Sequence, residues 1–386
     1  MAKQKLKALH LASFNGNIGD NANHIGFRNS MKLHTDFDIE YTNLEIREFY
    51  WGHRKFDQSF VDLANKHDFL IVGGGNYFEL WVEGSATGTS IDIEPGLFKN
   101  INVPVLINAL GVDPGQGVPE ANLQKFRGFL DILLGSDQYL VSVRNDGAMD
   151  TLREYLPPSY GDAIHQIPDG GFFTTVPDIQ HYEIPKAKRV ISINLAGDML
   201  ETRFATGKHI SYDDFLRGMA GTLEKVLEKN PDVNLVFIPH IFRDITTISQ
   251  CLEYFTDHYR RRRIQMAPYL LGDPGQDYIF SLYAQSALVL GMRFHSNVCS
   301  IGLNTPTIGL VNYRQIEKLY QELDLMERTV EVNKEGFEDK LLALIESSLA
   351  TPQPIKQTYA KVRKTLEGQL EKFHNYVNDW LKTNIE

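Results

Sequence analysis

Arg293 and His295 stand two residues apart, directly after an apolar run at residues 287–290. The guanidinium of Arg293 is a planar fork of N–H donors that suits a phosphate or a carboxylate. The imidazole of His295 can give or take a proton near neutral pH. Together, at the end of an apolar run, they indicate an anion-binding site with acid–base capacity.

The residues around this pair are predicted to complete the site. Ser296 or Asn297 is expected to cap a helix over residues 298–303. The free backbone N–H groups at such a helix start favour a bound anion. Phe294, Ser296 and Asn297 are therefore counted with Arg293 among the ligand-binding residues.

A second polar segment follows the first apolar run and contains Asn17, Gly19 and Asp20. Its glycines permit a tight turn into a helix that is expected to begin near Asn21. The spacing is neither that of a dinucleotide fingerprint nor that of a phosphate-binding P-loop. Asp20 either caps this helix or faces a ligand, where it would bind or deprotonate a hydroxyl group.

Gly74 and Gly75 belong to a run of three glycines that follows another apolar segment. Such a run costs conformational entropy and is plausible where a ligand or another backbone comes close. Asn76, Tyr77 and Glu79 follow it and offer polar and aromatic contacts suited to a sugar. These five residues are predicted to line a binding site, with Glu79 as a candidate base.

Arg144, Asp169 and His240 also follow apolar runs. In parallel sheets, ligands bind at the carboxyl ends of strands. Each of the three side chains is therefore a ligand-binding candidate, with helix capping or domain packing as the alternative.

The elements that must position these residues alternate along the whole chain. Alternating strand-like and helix-like runs predict parallel sheets with helices on both faces. Amphipathic helices are predicted at residues 56–66, 120–134, 212–229, 316–322 and 355–381. Strands are predicted at residues 6–13, 39–42, 69–72, 103–108, 139–143, 164–167, 190–194, 233–238, 264–266, 287–290, 307–311 and 329–332.

The twelve strands divide six and six about a weakly periodic, proline-bearing stretch at residues 175–188. This predicts a first domain at residues 1–175, a second at residues 186–350 and a C-terminal helix at residues 351–386. A chain of 386 residues is long enough for two such domains.

The composition describes a soluble globular protein, with 42% hydrophobic and 23% charged residues. A net charge of −10 argues against a nucleic-acid partner, because such proteins carry basic surfaces. The start of the chain lacks the apolar core of a signal peptide. We expect a cytoplasmic protein; location at the inner face of the membrane, peripheral membrane contact and homo-oligomerisation stay open.

The order of these motifs resembles the polysaccharide pyruvyl transferase family, over about residues 8–325. The segment around Arg293 and His295 is the strongest part of the likeness. The motifs, in chain order, are Asn17-Ile18-Gly19-Asp20, Gly73-Gly74-Gly75-Asn76, Ser142-Val143-Arg144, Pro168-Asp169, Gly291-Met292-Arg293-Phe294-His295 and Thr305-Pro306 with Asn312-Tyr313.

The resemblance implies an α/β fold with two Rossmann-like domains facing across a cleft, as in GT-B glycosyltransferases, and a final helix that crosses back to the first domain. It implies phosphoenolpyruvate as donor, a glycan or lipid-linked oligosaccharide acceptor, and a cyclic ketal product. His295 would be the general acid, with Asp20 or Glu79 as the base. Neither a metal nor a cofactor is required.

The chain departs from the family pattern in two respects: an arginine is missing, and Ile316 occupies the place of a lysine that many members carry shortly after the tyrosine matching Tyr313. Family members often carry an arginine just after the first strand of the second domain, where this chain reads Ile193-Asn194-Leu195-Ala196-Gly197-Asp198 and has no arginine until Arg203. Arg203 or Arg243 is expected to supply that contact; otherwise the donor is not phosphoenolpyruvate. The predicted donor-binding set includes Arg203 and also His240, which follows a strand.

Two other functions remain open. A GT-B glycosyltransferase would use a nucleotide-sugar, although no ribose-binding acid is identified. A glycan-binding protein without catalysis would hold Arg293 and His295 in internal salt bridges.

Overall fold

The computed structural model describes residues 3–385 of the chain, which form two compact units. Unit 1 contains the residues up to Asn15, Asn23–Gly170 and the residues from Leu366 onwards. Unit 2 contains Gly16–Ala22 and Gly171–Thr365. The first and last long helices each contribute residues to both units.

Unit 1 is built on a six-stranded sheet in the order β2-β1-β3-β5-β7-β8, with every pair parallel. The two remaining strands, β4 and β6, pair only with each other. The strands, in chain order, are β1 (Gln4–Ala12), β2 (Phe37–Glu45), β3 (Phe69–Gly73), β4 (Phe78–Glu79), β5 (Val105–Leu110), β6 (Val112–Asp113), β7 (Tyr139–Arg144) and β8 (His165–Ile167).

The longer helices between these strands cover the sheet and bury their apolar faces. The longest one within unit 1 places Leu123, Phe126, Leu130 and Leu133 three or four residues apart on its buried side. The helices are α1 (Ile18–His34), α2 (Arg47–Tyr50), α3 (Gln58–Ala64), α4 (Pro95–Phe98), α5 (Glu120–Leu134), α6 (Ala148–Tyr155) and α7 (Pro158–Ala163).

Unit 2 has a second parallel six-stranded sheet, in the order β11-β10-β9-β12-β13-β14. This is the 3-2-1-4-5-6 order of the doubly wound dinucleotide-binding fold. The strands are β9 (Arg189–Asn194), β10 (Val233–Phe237), β11 (Ile264–Met266), β12 (Leu288–Gly291), β13 (Thr307–Val311) and β14 (Thr329–Glu331).

The helices after β8 include the 34-residue C-terminal helix. Within residues 3–385, no helix combines the length and the apolar character that crossing a membrane requires. The helices are α8 (Leu200–Arg203), α9 (Tyr212–Lys229), α10 (Phe242–Glu253), α11 (Asp257–Arg262), α12 (Gly272–Ala284), α13 (Phe294–Gly302), α14 (Arg314–Glu322), α15 (Phe337–Ala350) and α16 (Pro352–Ile385), with short 3₁₀ turns at Gly170–Phe173 and Met326–Arg328.

The strand order reverses between β9 and β12 in unit 2 and between β1 and β3 in unit 1. In doubly wound sheets the crevice at such a reversal is where ligands bind. Asn194 pairs with Gly291 at the carboxyl ends of β9 and β12. The loops that follow these two strands are therefore neighbours, and they contain Asp198 and Arg293.

All twelve predicted strands are present, six in each large sheet, which confirms the predicted α/β class. Periodicity did not predict β4 and β6, because each has only two residues. The long helical patterns at 120–134 and 212–229 correspond to α5 and α9 at both ends.

The predicted starts of two helices were wrong. Helix α1 begins at Ile18, and the Asn17 side chain accepts a hydrogen bond from the Gly19 N–H at 3.0 Å. Asp20 therefore lies in the first turn and is not the cap. Helix α13 begins at Phe294 instead of residue 298, because the chain turns directly out of β12.

Candidate active site

Arg293 lies at the start of α13 and is held by two carboxylates of unit 2. Its Nε donates to Asp244 at 2.7 Å, and its Nη2 donates to Asp244 at 2.5 Å and to Asp198 at 2.9 Å. Asp244 is fully buried and also accepts from the backbone N–H groups of His240 and Gly197. Burial alone would lower the pKa of Arg293, but the two carboxylates raise it, so the guanidinium stays charged.

Asp198 joins Arg293 to a second buried arginine, Arg203. The Asp198 Oδ1 atom lies 2.9 Å from Arg293 Nη2 and 3.6 Å from Arg203 Nη2. Arg203 also donates to Asn312 at 2.9 Å and lies over the ring of Tyr313. Burial acts to raise the pKa of Asp198, but the two arginines outweigh it and keep the pKa low.

His295 is 4% exposed and packs against the first turn of α1. A Cβ atom at Gly19 would lie 2.4 Å from the Cβ of His295, so only glycine allows this approach. Asn17 and Asp20 flank this point, and residues 16–22 belong to unit 2. The starts of α1 and α13 therefore meet at His295, and both helix dipoles favour negative charge there.

His240 is fully buried, and its Nε2 lies 2.8 Å from the Tyr283 hydroxyl oxygen. Burial lowers the pKa of His240 to about 3, so the imidazole is neutral. Donor binding by His240 stays a prediction, and its imidazole lies against Tyr283. The residue contributes through its backbone N–H, which orients Asp244.

Ser296 and Asn297 are also fully buried, and their side chains donate to the Arg293 carbonyl at 2.7 and 2.8 Å. They fix the turn between β12 and α13, in place of the predicted capping. Phe294 is 9% exposed, and its ring lies 5.3 Å from that of His295. These three side chains shape the surroundings of Arg293 and His295.

Unit 1 carries a second cluster, which is rich in carboxylates. Glu79 ends β4 and accepts a hydrogen bond from the Ser90 hydroxyl. Burial, with the nearby charge of Asp113, raises the pKa of Glu79 to about 7. Asn76 donates to Asp113 at 3.0 Å and so connects the glycine-rich segment to this cluster.

Arg144 is the buried cation of the same cluster. Its Nε donates to Asp146 at 2.6 Å, and its Nη1 lies 3.7 Å from Asp169. Burial raises the pKa of Asp146 against the opposing effect of Arg144. Asn23 donates to Asp169 at 2.7 Å, which leaves Asp169 fixed in a buried position.

The glycine run brings backbone and side chains of unit 1 into close approach. Gly73 and Gly74 have φ values of +136° and +84°, which favour glycine. A Cβ atom at Gly74 would lie 2.9 Å from the His24 ring, and one at Gly75 would lie 2.4 Å from Tyr77. Tyr77 itself is buried and packs against Gly75.

Sequence reasoning missed Asp244, Asp113 and Gly111. Asp244 lies in the first turn of α10, where an acidic residue is common and has no distinctive spacing. Gly111 connects β5 to β6, and Asp113 is the last residue of β6. A Cβ atom at Gly111 would lie 2.9 Å from Arg144, so this glycine admits the guanidinium.

The sequence profile of the polysaccharide pyruvyl transferase family matches residues 17–313 of the chain. No curated protein matches the chain. Solved structures share the fold at low identity. A glycosyltransferase from Rickettsia africae is 12% identical, with a TM-score of 0.58 and coverage of 98% of this chain and 99% of that one.

Two further structures are those of a protein bound to UDP and of a UDP-GlcNAc 2-epimerase. A UDP complex of S. aureus MnaA is 10% identical, with a TM-score of 0.53 and coverage of 92% of this chain and 91% of that one. The UDP-GlcNAc 2-epimerase of Neisseria meningitidis is 12% identical, with a TM-score of 0.50, covering 94% and 99%. At these identities the likeness establishes a GT-B-like fold with two Rossmann-like domains.

Proposed function

Since this chain belongs to the polysaccharide pyruvyl transferase family and is a transferase, we propose that it moves pyruvate from phosphoenolpyruvate onto a glycan. The product is a cyclic ketal across two sugar hydroxyls. The acceptor is a bacterial surface-polysaccharide precursor, carried on a lipid at the inner face of the membrane.

One observation carries the proposed donor. Arg293, Arg203 and His295 lie in unit 2 together with the starts of α1 and α13. Phosphoenolpyruvate carries a phosphate and a carboxylate, and both groups need N–H donors and positive charge. An imidazole beside them can protonate the substrate.

The reaction uses these groups in a defined order. His295 protonates C3 of phosphoenolpyruvate, which leaves an oxocarbenium-like centre at C2. A first sugar hydroxyl adds at C2 and loses its proton to a carboxylate. A second hydroxyl then forms the other C2–O bond while the C2–O bond to phosphate breaks. The two hydroxyl protons balance the one added at C3 and the one taken by phosphate.

Glu79 is the proposed base for the acceptor hydroxyl. A carboxylate with a pKa of about 7 can accept a proton more readily than an ordinary glutamate. Asn76 and Arg144, with Asp169, are proposed to hold the acceptor in unit 1. Asp20, one residue from the Gly19 contact, is proposed to orient a hydroxyl beside His295.

A thermal-shift series with two variants tests the donor. Phosphoenolpyruvate at about 100 times its Kd should stabilise the protein by about 2.7 kcal/mol, and UDP-GlcNAc should not. His295→Ala should retain this shift but lose about 10²–10⁴-fold in turnover, as expected for a general acid. Arg293→Lys should lose the shift itself, because lysine lacks the planar fork.

His258→Ala is the matched control, because His258 is an exposed histidine on α11. This variant should behave as the wild type. If UDP-GlcNAc stabilises the protein and phosphoenolpyruvate does not, the donor is a nucleotide-sugar.

A glycan-binding function without catalysis is the second candidate, because Arg293 does lie in internal ion pairs. On that hypothesis the pairs are permanent. Neither phosphoenolpyruvate nor inorganic phosphate would then change the unfolding temperature, while an acceptor oligosaccharide would.

A further inference from the structure

A single carboxylate oxygen of this chain occupies the space between two buried guanidiniums. Asp198 Oδ1 lies 2.9 Å from Arg293 Nη2 and 3.6 Å from Arg203 Nη2. Both arginines are less than 10% exposed, whereas the Asp198 side chain is 29% exposed. The carboxylate of Asp198 lies between the two arginines in the way that the carboxylate of a bound ligand would.

The second acidic partner of Arg293 is held very differently. Asp244 is 0% exposed, contacts two nitrogens of the guanidinium and accepts from three backbone N–H groups, those of Gly197, His240 and Ile241. Removing it from Arg293 would leave a buried charge without its counter-ion, which is strongly unfavourable. Asp244 is therefore a fixed partner.

Asp198 has only the two arginines as side-chain ion-pair partners among the described residues. Its partial exposure means that water can solvate the carboxylate once it leaves them. The two arginines also keep the pKa of Asp198 low, so that it is an anion at neutral pH. A ligand anion must therefore compete with it.

We propose that Asp198 occupies the subsite for the donor's carboxylate and is displaced when an α-keto-acid-type anion binds between Arg203 and Arg293. This rests on the proposed function for the identity of the donor. The carboxylate is assigned here because the site already holds a carboxylate oxygen in this geometry. The phosphate is left to the helix starts beside His295.

The exchange also conserves charge next to the arginines. Arg203 and Arg293 face Asp198 and Asp244, so the four charges sum to zero. A single carboxylate group that replaces the Asp198 carboxylate leaves that sum unchanged, whereas a doubly charged phosphate group would exceed it. Asp198 therefore selects for a carboxylate at this position.

Isothermal titration calorimetry with oxalate, phosphoenolpyruvate and inorganic phosphate tests the proposal. Asp198→Asn and Asp198→Ala should each bind oxalate and phosphoenolpyruvate about tenfold more tightly than the wild type, a gain of about 1.4 kcal/mol. Inorganic phosphate should bind with a Kd within about twofold of the wild-type value, because it does not use this subsite.

Asp232→Asn is the matched control. Asp232 pairs with Arg189 at 2.6 Å in a half-exposed ion pair of unit 2. It directly precedes β10 and so lies at the amino ends of the strands, whereas Asp198 follows the carboxyl end of β9. This variant should leave all three affinities unchanged.

Unchanged or weaker oxalate binding in both Asp198 variants would overturn the proposal. Unchanged binding would mean that Asp198 is not displaced, and weaker binding would mean that it orients the arginines. Oxalate binding does not depend on turnover. Tighter oxalate binding in a protein that fails to consume phosphoenolpyruvate would therefore uphold the subsite while refuting the proposed donor.

Discussion

The two clusters of charged residues differ in their balance of charge. In unit 2, Arg203 and Arg293 match Asp198 and Asp244 one to one. In unit 1, Arg144 is the buried cation beside several carboxylates, among them Asp146, Asp169, Asp113 and Glu79. Burial is the main cause that raises the pKa of Glu79 to about 7, and the nearby negative charge of Asp113 adds to it.

Glu79 should therefore set the pH dependence of turnover. A base must be ionised to act, so kcat/KM should rise with pH and level off above about pH 7. Glu79→Gln should lower kcat/KM by about 10²–10⁴-fold and remove this rise. Initial rates between pH 5.5 and pH 9, in a constant-ionic-strength buffer, measure both effects.

The same group predicts an opposite effect on stability. The folded state favours protonated Glu79, so the wild type loses stability as the pH rises from the usual glutamate pKa through about 7. Glu79→Gln cannot ionise and should be more stable than the wild type above that pH. Glu83→Gln, an exposed neighbour, is the control. If kcat/KM of Glu79→Gln has the same pH dependence as that of the wild type, the base is another residue.

At the scale of elements, the site of unit 2 depends on how closely α1 and α13 approach. Gly19 lies in the first turn of α1, and its missing side chain leaves room for His295 in the first turn of α13. A methyl group would lie 2.4 Å from the His295 Cβ and Nδ1 atoms. One of the two helices must then move.

Gly19→Ala should therefore impair both stability and turnover. Overpacking of a buried position costs about 1–3 kcal/mol, and displacement of a reacting group by about 1 Å can cost about 10²-fold in rate. Urea unfolding and steady-state kinetics measure the two effects. A variant with wild-type kcat would show that the position of His295 is not critical.

Gly221→Ala provides the control for this substitution. Gly221 lies in α9 on an exposed face, and a Cβ atom there would meet nothing within 4 Å. Replacing a glycine inside a helix by alanine should stabilise the protein by about 0.5–1 kcal/mol. The two substitutions add the same methyl group, so they separate the close approach from the general effect of the change.

The same contact shows what the sequence could and could not predict. Short apolar runs predicted all twelve strands of the large sheets, and long amphipathic patterns predicted the bounds of α5 and α9. The spacing also located Arg293 and His295 at a strand end. It could not pair Arg293 with Asp244, or Gly19 with His295, because these contacts join positions far apart in the chain and follow no local period.

At the scale of the whole molecule, two helices are shared between the units. The first residues of α1, up to Ala22, belong to unit 2 and the rest to unit 1, while α16 passes from unit 2 to unit 1 at Leu366. In α16, Tyr359 donates to the Thr307 carbonyl of unit 2, and His374 bonds to Ser30 of unit 1. The final helix is therefore structural in both units.

Trp380 provides a test of this role. Its side chain is 8% exposed, and its indole N–H donates to the Asp137 carbonyl of unit 1 at 2.7 Å. Trp380→Ala should cost about 3–5 kcal/mol through the cavity it leaves, or roughly 6–20 °C in the midpoint of thermal unfolding for a unit of this size. Differential scanning calorimetry measures the midpoint directly.

Tyr376→Ala, at a position 51% exposed on the same helix, should shift the midpoint by less than a few degrees. Equal midpoints in the wild type and Trp380→Ala would mean that the end of α16 contributes little to unit 1. A large loss confined to Trp380→Ala would establish that this helix, distant in sequence from the charged residues of the sites, is needed for unit 1 to persist.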